Sequence, residues 1–255
     1  MVDDPTARFA ALAALPDDDW PLDEALLLIA AHARPGLDID AEQRRLDALA
    51  AGVPEPTFDA LRDHLFGALG FTGDRATYHD ARNSLLPDVL DRRAGIPITL
   101  CSLAMEVGRR CAVGVVGIGL PGHFIARSAA EPHRYLDAFA GGEEIDEDGC
   151  RALLERVAPG MPWDDALLQP TPPKLITARV LANLAGAHRR AGDRRALCWT
   201  LTLRLLLPGA TPQERRELGV LLGASGRFSD GAVVLEASPE PRDQEAAARL
   251  RARLN

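Results

Sequence analysis

The chain has 255 residues, of which 47% are hydrophobic and 26% charged, and its formal net charge is −8. This composition is typical of a globular protein with ample apolar material for a core, in one large domain or two small ones. The acidic balance disfavours a nucleic-acid-binding protein, because phosphate binding requires clustered excess Lys and Arg. The acidic N-terminus lacks the apolar run of a signal peptide, and no apolar stretch is long enough to span a bilayer.

The chain carries no recognisable metal-ligand motif. Its cysteines form no C-x-x-C pair and its six histidines form no H-E-x-x-H pair, which disfavours cysteine zinc sites and zinc hydrolases. We therefore expect no cofactor and no metal. Without a secretory signal, we expect reduced thiols in the cytoplasm at Cys101, Cys111, Cys150 and Cys198.

The first 70 residues have the pattern of an all-helical section. Leu22, Leu26 and Ile29 recur at helical spacing, and P-G at residues 35–36 ends that helix. Further helices are predicted over residues 41–51 and 58–69, each followed by glycine.

Residues 83–110 predict two more helices. Asn83 and Ser84 are suited to cap a helix over residues 85–93, and G-I-P at 95–97 interrupts the chain. The helix that follows, residues 98–110, is apolar on most of its sides, which is typical of a helix buried in a core.

Strands are predicted over residues 113–120 and 123–127, which are rich in Val and Ile and interrupted by glycine, and over residues 134–139, which G-G at 141–142 ends. Their connections are too short for crossover helices, so the sheet should be antiparallel. Helices followed by strands indicate an α+β fold.

Residues 117–122 read G-I-G-L-P-G and match the dinucleotide-binding pattern G-x-G-x-x-G. That pattern requires a following helix and a second parallel strand, and the chain has no room for them before the next strand. We interpret these glycines as permitting a sharp bend between two strands.

The acidic run at residues 143–149 lacks the alternating oxygen ligands of a calcium-binding loop. We interpret it as a solvated surface loop.

The proline-rich segment 169–173 is the best linker candidate, and the chain after it has a helical pattern throughout. Gly192 and Gly226 lie in matching turns 34 residues apart, which is the tetratricopeptide period. We predict a first domain over residues 1–169, with a core at about 67–160, and an all-α tetratricopeptide-like tail over residues 174–255. Two degenerate repeats are few for a free-standing solenoid, so the tail is expected to dock on the first domain.

His123 and Asp137 are the leading candidates for chemistry. They lie on neighbouring predicted strands, which could place the imidazole beside the carboxylate. A cysteine at the start of the preceding helix would complete a Cys-His-Asp set, because a helix N-terminus and a nearby His⁺ both lower a thiol pKa. A His–Asp pair by itself is more often structural than catalytic.

Several segments together resemble the SirB-type bacterial family over roughly residues 20–240. They are GFTGD at 70–74, YHDARNSL at 78–85, RRAGIPITL at 92–100 and LPGHF at 120–124, with LDEA at 22–25 and PGLD at 35–38. The resemblance implies a papain-like, transglutaminase-like α+β core followed by tetratricopeptide helices. The same core resembles a segment of certain F-box proteins.

The resemblance also implies a triad in which His123 and Asp137 are the second and third members. The nucleophile position then falls near residues 97–99, where no cysteine stands and where Thr99 could serve only as a weak hydroxyl nucleophile. Cys101 is close, but at about 100° per residue it points some 200° away from Thr99. It shares an apolar stripe with Ile98 and Met105, so we expect a buried, unreactive thiol.

These observations leave two hypotheses of function. The first is a cytoplasmic regulatory or protein-interaction module that has lost its thiol and binds an unidentified protein or peptide, but neither nucleic acid nor membrane. The alternative is a cysteine-type amidase, protease or acyl transferase that uses Cys101, His123 and Asp137. The sequence gives no oligomeric state.

Overall fold

The computed structural model describes residues 4–254 and divides the chain into two compact units. The first extends to Val180 and the second begins at Leu181, inside one continuous helix, Pro173–Ala191. The first unit is a mixed α+β structure, as predicted, and the second is helical.

In the part of the chain that the structure describes, six α-helices precede the main sheet. They are α1 Pro5–Ala13, α2 Leu22–Ala33, α3 Ile39–Ala51, α4 Phe58–Arg62, α5 Leu86–Arg92 and α6 Pro97–Arg110. The predicted helix over 58–69 is present as helical backbone over residues 58–68, of which residues 63–68 form a π-helical turn. There the Leu69 N–H bonds to the carbonyl of His64, five residues back, at 2.9 Å.

Helix α6 runs through the core of the first unit. Pro97 occupies its first turn, where the missing N–H costs no helical hydrogen bond. Leu100, Leu103 and Val107 are completely buried, as the apolar sequence pattern predicts. This packing fixes the two candidate nucleophiles that the helix carries near its N-terminus.

Within residues 4–254, the main sheet has four antiparallel strands, which lie side by side in chain order. They are β3 Val115–Ile118, β4 Ile125–Ser128, β5 Tyr135–Asp137 and β6 Glu143–Ile145, and a separate parallel pair joins β1 Thr72–Gly73 to β2 Ala94–Gly95. The antiparallel sheet is confirmed, with shorter strands than predicted.

The prediction of a loop over the acidic run at 143–149 is wrong. Strand β6 pairs with β5, and helix α7, Glu147–Val157, begins directly after it. Asp146 caps α7 by accepting a hydrogen bond from the N–H of Gly149. Acidic side chains in a first helical turn are favourable because they face the positive end of the helix dipole.

The proline-rich segment predicted as a linker contacts β3. Thr171 donates its N–H to the Gly117 carbonyl at 2.8 Å, and its hydroxyl accepts from the Gly119 N–H at 2.9 Å. The first unit continues past this segment into α8, Pro173–Ala191. The predicted domain boundary remains a prediction.

The second unit contains the end of α8 and four more helices, α9 Arg194–Arg204, α10 Pro212–Ala224, α11 Phe228–Glu236 and α12 Pro241–Arg251. Gly192 and Gly226, with φ of 68° and 81°, form the tight turns before α9 and α11. Gly231 lets α11 approach α10 closely, because a Cβ there would lie 2.9 Å from the Gly219 carbonyl oxygen.

None of the helices within residues 4–254 combines the length and the apolar character that a bilayer crossing requires.

Candidate functional site

His123 and Asp137 form a buried pair. His123 follows Gly122, whose φ of 74° lets the chain turn sharply between β3 and β4, as the glycine-rich segment predicts. His123 does not itself begin a strand, because β4 starts at Ile125, whereas Asp137 is the last residue of β5. Nε2 of His123 lies 3.0 Å from Oδ1 of Asp137, so the predicted contact is present. A functional role for the pair remains a prediction.

The surroundings of Asp137 keep its carboxyl group ionised. Burial raises its pKa, but hydrogen bonds from His123 and from the N–H groups of Ala140 and Phe139 outweigh burial and hold the pKa below 3.8. An ionised carboxylate only accepts hydrogen bonds, so Nε2 of His123 must donate. In the neutral ring Nδ1 is then the remaining acceptor.

Cys101 is sealed in the core beside this pair. Its side chain is completely buried, and Sγ donates to the Phe124 carbonyl at 3.7 Å. Burial raises the pKa of this thiol well above its ordinary value, and the negative charge of Asp137 raises it further. A nucleophilic cysteine requires the opposite shift, so the geometry gives Cys101 no activation.

Thr99, the third residue of α6, is also completely buried. Its hydroxyl has no hydrogen-bond partner among residues 4–254, so His123 does not hold it as a base would hold a nucleophile. The described residues therefore include the His–Asp pair, but neither Thr99 nor Cys101 forms a hydrogen bond with the imidazole as a nucleophile would.

Aromatic rings adjoin the imidazole. The Phe139 ring packs edge-on to His123 with centroids 6.1 Å apart, and Tyr78 packs on Phe139 at 5.7 Å. The guanidinium of Arg75 lies 5.2 Å from the centroid of the Phe139 ring. Phe139 presses on Gly73, where a Cβ would lie 2.3 Å from the ring, so only glycine fits there without displacing it.

A buried polar network fixes the loop that carries Tyr78. Asp74 accepts hydrogen bonds from the Thr77 N–H at 2.8 Å, the Thr77 hydroxyl at 2.5 Å and Arg92 at 2.7 Å. Asn83 donates to the carbonyls of Thr77 and Tyr78 and accepts from Arg92. The hydrogen bonds from Thr77, and then that from Arg92, hold the pKa of Asp74 far below its ordinary value. Tyr78 is therefore held in place although 39% of its surface is exposed.

Arg179 on α8 completes the site. One terminal nitrogen, Nη2, donates to the carbonyls of Leu120 at 3.0 Å and His123 at 2.9 Å. The guanidinium also lies 5.3 Å from the centroid of the Phe124 ring. We refer to Arg75, Tyr78, His123, Phe139 and Arg179 as the His123 surface.

Within residues 4–254, no three His, Cys, Asp or Glu side chains come together in a way that could hold a metal ion. All four cysteines are free thiols.

Residues 25–182 match the family described as the transglutaminase-like superfamily. The chain belongs to that superfamily. It also belongs to the UPF0162 family, whose member from Xylella fastidiosa strain 9a5c is 34% identical over 215 residues, covering 77% of this chain and 75% of that protein. A UPF0162 protein of Pseudomonas aeruginosa is 33% identical over 195 residues, covering 73% of this chain and 72% of that protein.

A shorter similarity extends to mammals. The mouse F-box only protein 21 is 31% identical over 143 residues, which are 52% of this chain and 22% of that protein. No solved structure matches the chain with comparable significance. These similarities assign the core to a superfamily but give it no reaction, because one fold supports many functions.

Sequence reasoning missed four residues of the His123 surface: Arg75, Tyr78, Phe139 and Arg179. Tyr78 lies in a segment that resembles the family, and Phe139 stands two residues after Asp137, so both had a weak signal. Arg179 had none beyond being a charged residue beside the apolar stripe of Ile176 and Val180. Its position depends on the contact between α8 and the turn before β4.

Proposed function

We propose that this protein is a non-catalytic interaction module that holds a peptide segment of a partner protein at the His123 surface. The observation that supports this proposal most strongly is the complete burial of both candidate nucleophiles. Cys101 and Thr99 are completely buried, and among residues 4–254 neither donates a hydrogen bond to the His123 ring, which bonds to Asp137.

The exposed part of the site has the character of a binding surface. Tyr78 and Phe139 offer rigid aromatic faces, which contribute contact area at a small cost in conformational entropy. Arg75 and Arg179 add positive charge to an otherwise acidic protein. The His–Asp pair fixes the turn and the strand end that support these side chains.

A cysteine-type amidase, protease or acyl transferase is not favoured by the same geometry. Such an enzyme needs a thiolate beside the imidazole, whereas the pKa of Cys101 is raised by burial and by Asp137.

The proposed function also includes a role for the C-terminal helices and a cellular compartment. The segments GFTGD, YHDARNSL, RRAGIPITL and LPGHF support a SirB-type protein. The C-terminal helix pairs, whose turn glycines lie 34 residues apart, support a tetratricopeptide-like tail that serves regulation or partner binding. The free thiols favour the reducing cytoplasm.

Selection of displayed random peptides on the intact protein tests this function. We expect enriched peptides that lose about tenfold or more in affinity on Tyr78→Ala, because an aromatic anchor is removed. Leu206→Ala is the matched control, since Leu206 is 40% exposed and Tyr78 is 39% exposed. Binding should survive this control, and mass spectrometry should recover the peptides intact.

Two results would contradict the proposal. One is a failure to enrich any peptide whose binding depends on Tyr78. The other is turnover of a bound peptide that stops in His123→Ala, which would restore the enzyme hypothesis.

A further inference from the structure

Arg179 is half-buried and has no acidic partner among the described residues, unlike most of the arginines that pack against the first unit. Arg134 bonds to Glu144 and Asp59, and Arg92 bonds to Asp74. Within residues 4–254, no carboxylate lies within ion-pair distance of Arg179. Its neighbours are main-chain carbonyls, the Phe124 ring and Tyr78.

An unpaired guanidinium in such surroundings is unfavourable. Removing a charge from water costs free energy that an opposite charge normally offsets. Burial lowers the pKa of Arg179 below its ordinary value, which is the consequence of that missing partner. A carboxylate of a bound ligand beside Arg179 would supply the missing opposite charge and offset the free energy lost by burial.

The free donors of Arg179 can still reach a ligand. The bonds to Leu120 and His123 use Nη2 and fix the plane of the guanidinium, which leaves hydrogen-bonding capacity on Nη1 and Nε. A guanidinium fixed in this way is preorganised for a carboxylate, which it can bind through two parallel hydrogen bonds. Tyr78 packs on Phe139, whose ring adjoins His123, and its phenol adds a hydroxyl donor on the exposed side.

We propose that Arg179 and Tyr78 form a subsite for one carboxylate of the peptide bound at the His123 surface. This proposal rests on the proposed function and adds the chemical class of the partner, a segment with an acidic side chain or a free C-terminus. One guanidinium balances one negative charge, so a carboxylate suits the subsite better than a phosphate dianion in a protein of net charge −8.

Three short peptides and one inorganic ion distinguish the sources of the charge. The probes are acetyl-Ala-Glu-Ala-amide, acetyl-Ala-Ala-Ala with a free C-terminus, the neutral acetyl-Ala-Gln-Ala-amide, and inorganic phosphate. Titrations of the intact ¹⁵N-labelled protein follow the Nε–H resonance of Arg179, which is assigned by its loss in Arg179→Lys.

We expect at least one carboxylate peptide to bind about tenfold or more tightly than the glutamine peptide, since a charge-assisted hydrogen bond is lost in the latter. Arg179→Gln should abolish this preference. The matched control is Arg253→Gln, because Arg253 also lies over an aromatic ring, Phe228, at 5.5 Å. That control should leave the preference unchanged.

A second variant keeps the test decisive if Arg179→Gln fails to fold. Tyr78→Phe retains the ring and removes only the hydroxyl, and it should reduce the preference about threefold.

Equal binding of the glutamate, free-carboxylate and glutamine peptides overturns the subsite but leaves the proposed function intact. Tighter binding of phosphate than of either carboxylate overturns the choice of ligand. Failure of these peptides and of display-selected peptides to bind contradicts the proposed function itself.

Discussion

Replacing Asp137 with Ala is expected to lower the free energy of unfolding by about 3 kcal/mol. The carboxylate is 4% exposed and accepts hydrogen bonds from Nε2 of His123 and from the N–H groups of Phe139 and Ala140. Its removal leaves three buried donors without a partner, and each such loss is costly. Urea denaturation followed by circular dichroism measures the change.

Asp137→Asn is the matched control for this variant. The amide oxygen can still accept from the two main-chain N–H groups, so the expected loss is smaller, about 1 kcal/mol. An amide oxygen in the place of Oδ1 also accepts from Nε2 of His123, so ¹⁵N NMR of His123 should still show the hydrogen on Nε2. If Asp137→Ala is as stable as the wild type, the pair does not support the fold in the way described.

Replacing Asp74 with Ala should cost about 2 to 3 kcal/mol and release the loop that carries Tyr78. The carboxylate joins Thr77 to Arg92 and lies in the buried network with Asn83. Its pKa in the folded protein is far below the ordinary 3.8. Its contribution to stability is therefore complete above the ordinary pKa and is lost as the pH falls toward the folded value.

The pH dependence of unfolding checks this sign. Wild-type stability should fall steeply as the pH drops below about 4, and Asp74→Asn should be less stable at pH 7 with a flatter acid limb. Asp148→Asn is the control, since Asp148 bonds to Arg151 but its side chain is 88% exposed. That change should stay within about 0.5 kcal/mol of the wild type. An Asp74→Asn curve parallel to that of the wild type would contradict the role of the network.

Apolar periodicity was enough to predict the core of the first unit. Helix α6 and the antiparallel strands were recognisable because burial on all sides and short strand connections leave a direct pattern in the sequence. The contact of His123 with Asp137 followed from the same strand pattern, since it needs only two adjacent strand ends.

The acidic segment after Gly142 differs from its predicted loop for a physical reason. The charges of this segment predict a solvated loop, whereas Glu144 lies on the edge strand and forms ion pairs with Arg134 and Arg62. Cys150, Leu153 and Leu154 share one apolar face after the capping Asp146, which is the pattern of a helix that begins within the acidic run.

The rest of the site depends on contacts between distant parts of the chain. Tyr78 reaches Phe139 because Asp74 and Asn83 fold its loop, and Arg179 reaches His123 from the other end of the first unit. No local pattern encodes such contacts. They arise only when α8 packs near the turn before β4.

Timed alkylation of Cys101 in the native protein tests most directly the claim that this core has no activated thiol. Iodoacetamide at pH 8 with peptide mapping should label Cys101 at least about a hundredfold more slowly than the partly exposed Cys111, because a buried thiol must wait for the structure to open. Labelling of Cys101 that is faster than that of Cys111 and disappears in His123→Ala would contradict the account, since only a thiolate paired with the imidazole behaves in this way.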